Sequence, residues 1–197
     1  MAQLYYQGHG SFRIRTDAGK VIYVDPYAGD GYDLPADLIL VTHQHMDHNR
    51  IRKVRNRNGN CRIFTNEEAV SGENYRVLGL GWTTVVPVRA ENRHHDPASC
   101  VGYIISVVGK KIYAAGDTSK YDRMRELKLF HIDLALLPTD GFFNMGPEEA
   151  AECAELCGAK QAVPIHTKPG ALYDRTVAER FTFPGRILLE PGGTLDL

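Results

Sequence analysis

"LVTHQHMDHNR", residues 40–50, places three histidines and an aspartate within positions 43–48, directly behind an apolar run. The run "LILVT", residues 38–42, reads as a buried strand. His43 and His45 leave its end as alternate residues of an extended chain, so both imidazoles project to one side and grip one ion. Past the turn, Asp47 and His48 add a carboxylate oxygen and a third imidazole, donor types suited to zinc or a similar transition metal. One metal or an adjacent pair is expected. The plain alternative is a histidine-rich surface loop, but four potential ligands packed behind a strand are more than composition supplies.

Short β-rich runs recur on both sides of this stretch: "SFRIRT", "KVIYVD", "CRIFT", "TTVVPV", "VGYIISVV", "KIYAAG", "LALLP", "QAVPI" and "RILLE". Turn residues separate them, with "DPYAGDGYDLP" and "VRNRNGN" the plainest loops. The clearest helix is "GPEEAAECAELCG": Pro147 suits its first position, Glu148 and Glu149 complement the dipole, and Gly158 stops it. Shorter helices are expected over "NEEAVSG", "SKYDRMREL" and "TVAERF". No linker divides the chain, so one domain is expected over residues 1–197.

Composition removes several function classes. With 197 residues and 43% hydrophobic content the chain builds a full core without staples. Twenty-three basic against 24 acidic residues leave a net charge of −1, so no global field points to nucleic acid or an anionic membrane. No stretch approaches the roughly 18 apolar residues of a membrane span, and "MAQLYYQGHG" lacks a basic segment followed by an apolar one. A cytoplasmic protein without a membrane partner is expected, and a homo-oligomer stays open. Cys61, Cys100, Cys153 and Cys157 form no CxxC pair and are too few for a disulfide framework, and Cys153 and Cys157, four apart on the expected helix, read as small core residues.

A short cluster rarely completes two coordination spheres, so further ligands are expected at distant strand ends. "KIYAAGDTSK" sets Asp117 behind a strand and a glycine, and "QAVPIHTKPG" sets His166 behind another buried run. Either residue alone would read as a turn former or a structural histidine. The repeated placement turns both into candidate ligands.

These residues resemble the metallo-β-lactamase superfamily, whose signature is His-x-His-x-Asp-His followed by a later Gly-Asp and a final His. The likeness is greatest to its branch of small metal-dependent hydrolases, which includes relatives of the ascorbate-phosphate lactonases. It is carried nearly end to end by "GHGSFRI" (8–14), "VIYVDPY" (21–27), "THQHMDH" (42–48), "KIYAAGDTSKYDRM" (111–124), "IDLALLP" (132–138), "MGPEEAAECA" (145–154) and "AVPIHT" (162–167). The resemblance implies an α+β fold, a four-layer αββα sandwich with metals at one edge between two sheets. It implies one or two divalent ions, zinc first with manganese or iron as substitutes, bound by His43 and His45 at a first site and by Asp47, His48 and His166 at a second. Asp117 would bridge them. The first site's third histidine falls, in many relatives, where "VVPVRAENRHH" has Asn92; either that residue's carbonyl oxygen or the neighbouring His94 or His95 would have to complete the set. Asp25 would hold a ligand histidine in its tautomer or merely form a strand-end turn. His9 would contact substrate or support the site, or be a buried hydrogen-bonded histidine.

The chemistry implied is hydrolysis of a small-molecule ester, lactone or phosphate-bearing substrate by a metal-activated water, with Asp47 orienting the nucleophile and carrying a proton. The superfamily's di-iron oxygen reductases carry Glu where His45 stands, which disfavours redox chemistry. Nucleases of the fold carry added RNA-binding elements, for which this chain has little room. The basic run Arg50, Arg52, Lys53, Arg55, Arg57 keeps a phosphodiesterase as the alternative, and a non-catalytic metal-binding relative is the third reading.

Overall fold

The buried runs present alternate residues to two different cores, and that alternation builds the layers. The computed structural model describes residues 1–71 and 74–197. Its first sheet joins β1 (Ala2–Gly8), β2 (Ser11–Thr16), β3 (Val21–Val24), β4 (Ala36–Val41), β5 (Arg57–Thr65) and, from the other end of the chain, β14 (Thr194–Asp196), in the order β14-β1-β2-β3-β4-β5. Two two-residue strands, β6 (Val70–Ser71) and β7 (Asn74–Tyr75), form a small ribbon. The second sheet joins β8 (Leu78–Gly79), β9 (Thr83–Arg89), β10 (Val101–Val107), β11 (Lys110–Ala114), β12 (Leu134–Pro138) and β13 (Gln161–Ile165), in the order β13-β12-β11-β10-β9-β8. In each sheet the strands that lead to the candidate residues run parallel: β3 beside β4, and β11 beside β12 beside β13. Their C-terminal ends therefore open on one edge.

Leu38 and Leu40 of β4, Ile22 and Val24 of β3, and Tyr103, Ile105, Leu134 and Leu136 of the second sheet form the central core between the sheets. The intervening Val21, Tyr23 and Ile39 face outward, beneath Tyr32, Leu34 and Ile51. That outer layer comes from the 26–35 loop and a 3₁₀ turn at Ile51–Lys53. On the opposite side Ile104, Tyr113, Ala135 and Leu137 meet the helix α2 (Pro147–Leu156). α2 starts on Pro147 with Glu148 and Glu149 in its first turn, buries Ala150, Cys153 and Ala154, and ends before Gly158 at φ 68°. Each fully buried Leu or Ile contributes about 1.5–3 kcal/mol relative to exposure. The sandwich is therefore fixed by the same runs that deliver the site.

Four local expectations differ from the structure. "RILLE" buries Leu189, half-buries Ile187 and, among the described residues, forms one isolated bridge, Arg186 to Ala162, in place of a strand. "SKYDRMREL" gives a 3₁₀ helix at Met124–Phe130; Met124 and Leu127, three apart, are both buried, which suits a three-residue turn. "NEEAVSG" makes one helical turn, α1 (Asn66–Ala69), before Val70 enters the ribbon, and Gly72 lies outside the described residues. The "VRNRNGN" loop straightens into β5 from Arg57 onward. "TVAERF" is the short helix α3 (Arg175–Glu179), capped by Asp174, whose Oδ1 accepts from the Thr176 amide. All four cysteines are free. Among the described residues no helix is long and apolar enough to cross a membrane.

Candidate metal centre

β4 is buried at every position, and at its end the chain turns so that the amides of His48 and Asn49 both donate to the His45 carbonyl oxygen. This turn swings Asp47 and His48 back over the sheet edge beside His43 and His45. The His43 and His45 rings meet edge to face at 4.6 Å, as their alternation along the chain requires. From the second sheet, Gly116 at φ 65° lets the chain behind β11 press against Thr42; a Cβ there would lie 2.8 Å from the Val101 carbonyl oxygen. Asp117 follows it and reaches both sides of the centre: Oδ1 lies 3.3 Å from His48 Nε2, and Oδ2 lies 3.4 Å from His95 Nε2 and 3.6 Å from His166 Nε2.

His9, Asp25 and His166 all adopt left-handed backbone conformations, with φ between 45° and 55°. Such strain costs a non-glycine residue about 1–2 kcal/mol, and its gathering at three strand ends around one spot marks a functional site. The His166 amide donates to the His9 carbonyl oxygen, joining the two sheets. Gly10 leaves room for the His48 ring, which a Cβ would approach to 2.9 Å.

Among the described residues three groups of convergent donor atoms result, each within 4.8 Å: His43, His45 and His95; His43, His48 and Asp117; and His9, Asp47, His48 and His166. His95 therefore joins the first group, and Asn92 and His94 do not. Asn92 instead accepts from His95 Nδ1 at 2.9 Å through its Oδ1, and His94 is exposed, its Nε2 accepting from Arg93 Nε. The turn that achieves this is a reciprocal pair of backbone hydrogen bonds between Asn92 and His95, which lifts the later histidine into the place the sequence pattern leaves to position 92. Asp25 holds a histidine, as one of its two expected roles required: its Oδ2 accepts from His48 Nδ1 at 2.8 Å and from the Thr42 hydroxyl, while Oδ1 accepts from the Thr42 amide. His9 is fully buried, with Nδ1 2.9 Å from the Ala171 carbonyl oxygen and Nε2 3.2 Å from Asp47 Oδ2.

Hydrogen-bond partners assign the tautomers. The Thr42 hydroxyl gives its one proton to Asp25, so it accepts from His43 Nδ1. His48 Nδ1 faces Asp25, His95 Nδ1 faces Asn92, and His166 Nδ1 faces Asp140 Oδ2 at 3.0 Å. His43 and His48 thus keep Nε2 for a metal, and His95 points its Nε2 toward His45 Nδ1 at 3.1 Å. The Nε2 atoms of His43, His48 and His166, and Oδ1 of Asp117, are buried and make no hydrogen bond. Buried polar atoms are nearly always paired, so four orphans converging from imidazole and carboxylate fit a metal ion.

The electrostatics agree. Burial would raise Asp117, but His166 and His48 hold it well below the usual carboxylate range. Burial would lower His48, yet Asp117 and Asp25 hold it well above the ordinary histidine value. His43, facing other histidines, is pushed well down by burial. A cation entering here replaces protons that the acids now draw onto the rings.

Two residues of the centre escaped the sequence reading. Asp140 supports His166, and its Oδ1 accepts the amides of Phe142 and Phe143. Asn144 connects Asp140 to Asn92. A signal for Asp140 existed: it stands just behind a buried strand, as Asp25 and Asp117 do.

Comparison with known proteins follows the same lines. The Beta-lactamase superfamily domain family matches residues 3–166. A metal-dependent hydrolase of Thermus thermophilus is 34% identical over 190 residues, covering 84% of each chain. One of Thermococcus onnurineus is 33% identical over a 226-residue alignment covering all of both. Among solved structures, Igni18, a metallo hydrolase from Ignicoccus hospitalis, superposes with a TM-score of 0.76 at 22% identity, covering 100% of this chain and 99% of that one, which is a likeness of fold. The chain belongs to the metallo-β-lactamase superfamily and is one of its metal-dependent hydrolases.

Proposed function

We propose that the protein hydrolyses a small ester or lactone at a two-metal centre, with His43, His45 and His95 holding the first ion, Asp47, His48 and His166 the second, and Asp117 lying between them. The observation that carries this reading is the set of buried, unpaired Nε2 atoms of His43, His48 and His166 gathered at the Asp117 carboxylate, whose Oδ1 is equally unpaired. Zinc is the ion that a set of imidazoles and carboxylates favours. When bound, such ions lower the pKa of a coordinated water toward about 7 and polarise the scissile carbonyl.

The chain's own residues supply orientation and proton transfer. Asp47 is half-buried at the mouth, its Oδ2 held by His9 Nε2, and it is placed to align the attacking water and pass a proton to the leaving group. Burial would raise the Asp47 carboxyl, but His9 and His48 hold it below the ordinary range, so it stands ionised at neutral pH. Substrate selection falls to the rim. Met46, 77% exposed, stands between His45 and Asp47, and Phe142 and Phe143, with edge-on rings at 4.7 Å, line a groove of about 880 Å³ beside Asn92. Exposed apolar side chains around a polar centre favour a substrate with an apolar portion.

A second reading, a phosphate-bearing substrate, rests on the groove of about 490 Å³ where Arg50, Arg52, Lys53 and Arg55 face a single acid, Asp30. Arg50 stacks on Tyr27, whose ring lies 5.2 Å from that of His9. A panel of chromogenic esters, lactones and phosphodiesters, assayed before and after chelation and on zinc or manganese return, tests both readings. Chelator-sensitive ester or lactone turnover is expected; turnover that resists complete metal removal would end the proposal.

A further inference from the structure

We propose that Asp140, which touches only the second-site histidine His166, also sets the tautomer of the first-site histidine His95 through a directed hydrogen-bond chain. The inference rests on the metal assignment above. His95 Nδ1 donates to Asn92 Oδ1 at 2.9 Å, Asn92 Nδ2 donates to Asn144 Oδ1 at 3.0 Å, and Asn144 Nδ2 donates to Asp140 Oδ2 at 2.8 Å. His166 Nδ1 meets the same Asp140 oxygen at 3.0 Å. The chain spans the centre from one ligand set to the other.

Every bond in it points toward Asp140. A carboxylate only accepts, so Asn144 must present its NH₂ to Asp140 and its carbonyl to Asn92. Asn92 is then forced the same way round, and its Oδ1 also takes the His94 amide at 2.8 Å. With Asn92 oxygen facing it, His95 must carry its proton on Nδ1 and keep Nε2 bare. The other oxygen of Asp140 is committed to the amides of Phe142, Phe143 and Asn144, so the carboxylate has no freedom to turn. His95, Asn144 and His166 are buried and the Asp140 side chain is fully enclosed, while Asn92 is half-buried at the groove, so the two ends of the chain are the parts shielded from water. Asn92, standing where the superfamily pattern expects a histidine, is a positioning residue in this scheme.

Asp140→Asn is isosteric but reverses the polarity at one end. If its oxygen keeps the three backbone amides, its NH₂ meets the His166 Nδ1 proton and the NH₂ of Asn144. Relief requires Asn144 and Asn92 to flip, which turns an NH₂ toward His95 Nδ1 and moves that ring's proton to Nε2, where it blocks a metal. Asn92→Asp added to Asp140→Asn places the carboxylate at the opposite end; the reversed chain is then satisfied and His95 regains an acceptor.

The test is zinc affinity at both sites by competition with a chromophoric chelator, together with ¹⁵N NMR of the His95 ring in the zinc-loaded and zinc-stripped proteins. His95→Ala and His166→Ala identify which ion is which. Asp140→Asn is expected to weaken both ions by about tenfold or more, the scale of lost support to a ligand histidine. Asn144→Leu is expected to weaken only the ion lost in His95→Ala. Asp140→Asn with Asn92→Asp is expected to return the first ion to within a few-fold of wild type while the second stays weak, and to return the His95 proton to Nδ1. A general loss of structure would not be repaired selectively at one site, so this rescue separates positioning from folding. Weakening of the second ion alone in Asp140→Asn, with the His95 tautomer unchanged, would overturn the inference while leaving the metal assignment intact; a wild type that binds no zinc would instead remove the assignment itself.

Discussion

The two halves of the centre are built to different standards. On the second side, His48 and His166 are buried and backed directly by the buried carboxylates of Asp25 and Asp140. On the first side, His43 leans on a hydroxyl, His95 on an amide oxygen, and His45 stands exposed with its Nδ1 3.1 Å from His95 Nε2. A carboxylate behind a ligand imidazole raises its basicity and locks its angle more firmly than a neutral oxygen does. The second site is therefore expected to hold its ion more tightly and the first to exchange it. Phe142, Phe143 and the larger groove lie on this side, beside Asn92.

The comparison breaks most visibly where whole ligand sets are removed. His48→Ala with His166→Ala should abolish the second ion and lower turnover by about three orders of magnitude or more, since activation of the water and polarisation of the carbonyl together supply several kcal/mol. His45→Ala should cost less, because the first ion keeps His43, His95 and Asp117; metal stoichiometry and kcat on the best ester substrate measure both. Equal losses in the two variants would erase the asymmetry.

Next in size are the residues behind the ligands. Asp25→Asn should weaken the second ion by about 10–100-fold. Asn92→His would restore the superfamily pattern by sequence alone, yet the structure predicts a loss of first-site affinity, because the Asn92 oxygen that orients His95 disappears. Stepwise zinc titration decides it, and a tighter first site in that variant would mean that position 92 can face the metal. Asp47→Asn should lower kcat far more than it raises KM, as fits a group acting in the transition state.

The smallest effect lies at the far end of β4. Asp37 pairs with Lys20 at 2.8 Å and accepts the Val21 amide; burial raises its carboxyl, but these partners win and hold it below 3.8. A depressed carboxylate contributes stability above its unfolded value that is lost as pH falls through the lower folded one. Acid titration of stability below about pH 4 should be slightly shallower in Asp37→Asn, by less than about 1 kcal/mol, the scale of a surface pair. Metal occupancy should not change.

The fold and most of the centre were legible because they are written locally. Nine of the ten β-rich runs hold strands, and His43, His45, Asp47, His48, Asp117 and His166 all follow strand ends that converge. β1 went unread although Ala2, Leu4 and Tyr6 alternate inward, and β14 has only three residues and exists by pairing with β1 across the whole chain. His95 was ambiguous because its placement depends on a backbone turn that "ENRHH" does not spell out. Asp140 offered only its place behind a strand and Asn144 nothing, because their roles arise from contacts with residues 26 and 52 positions away.

The central claim is a pair of ions bridged by Asp117, and anomalous X-ray diffraction from zinc-loaded crystals tests it most directly. The account predicts two peaks, one contacting His43, His45 and His95, the other Asp47, His48 and His166, each also within coordination distance of an Asp117 oxygen. The first peak should fade earlier on partial chelation. A single ion held away from Asp117, or two ions whose ligands exclude His95 and His166, would contradict it.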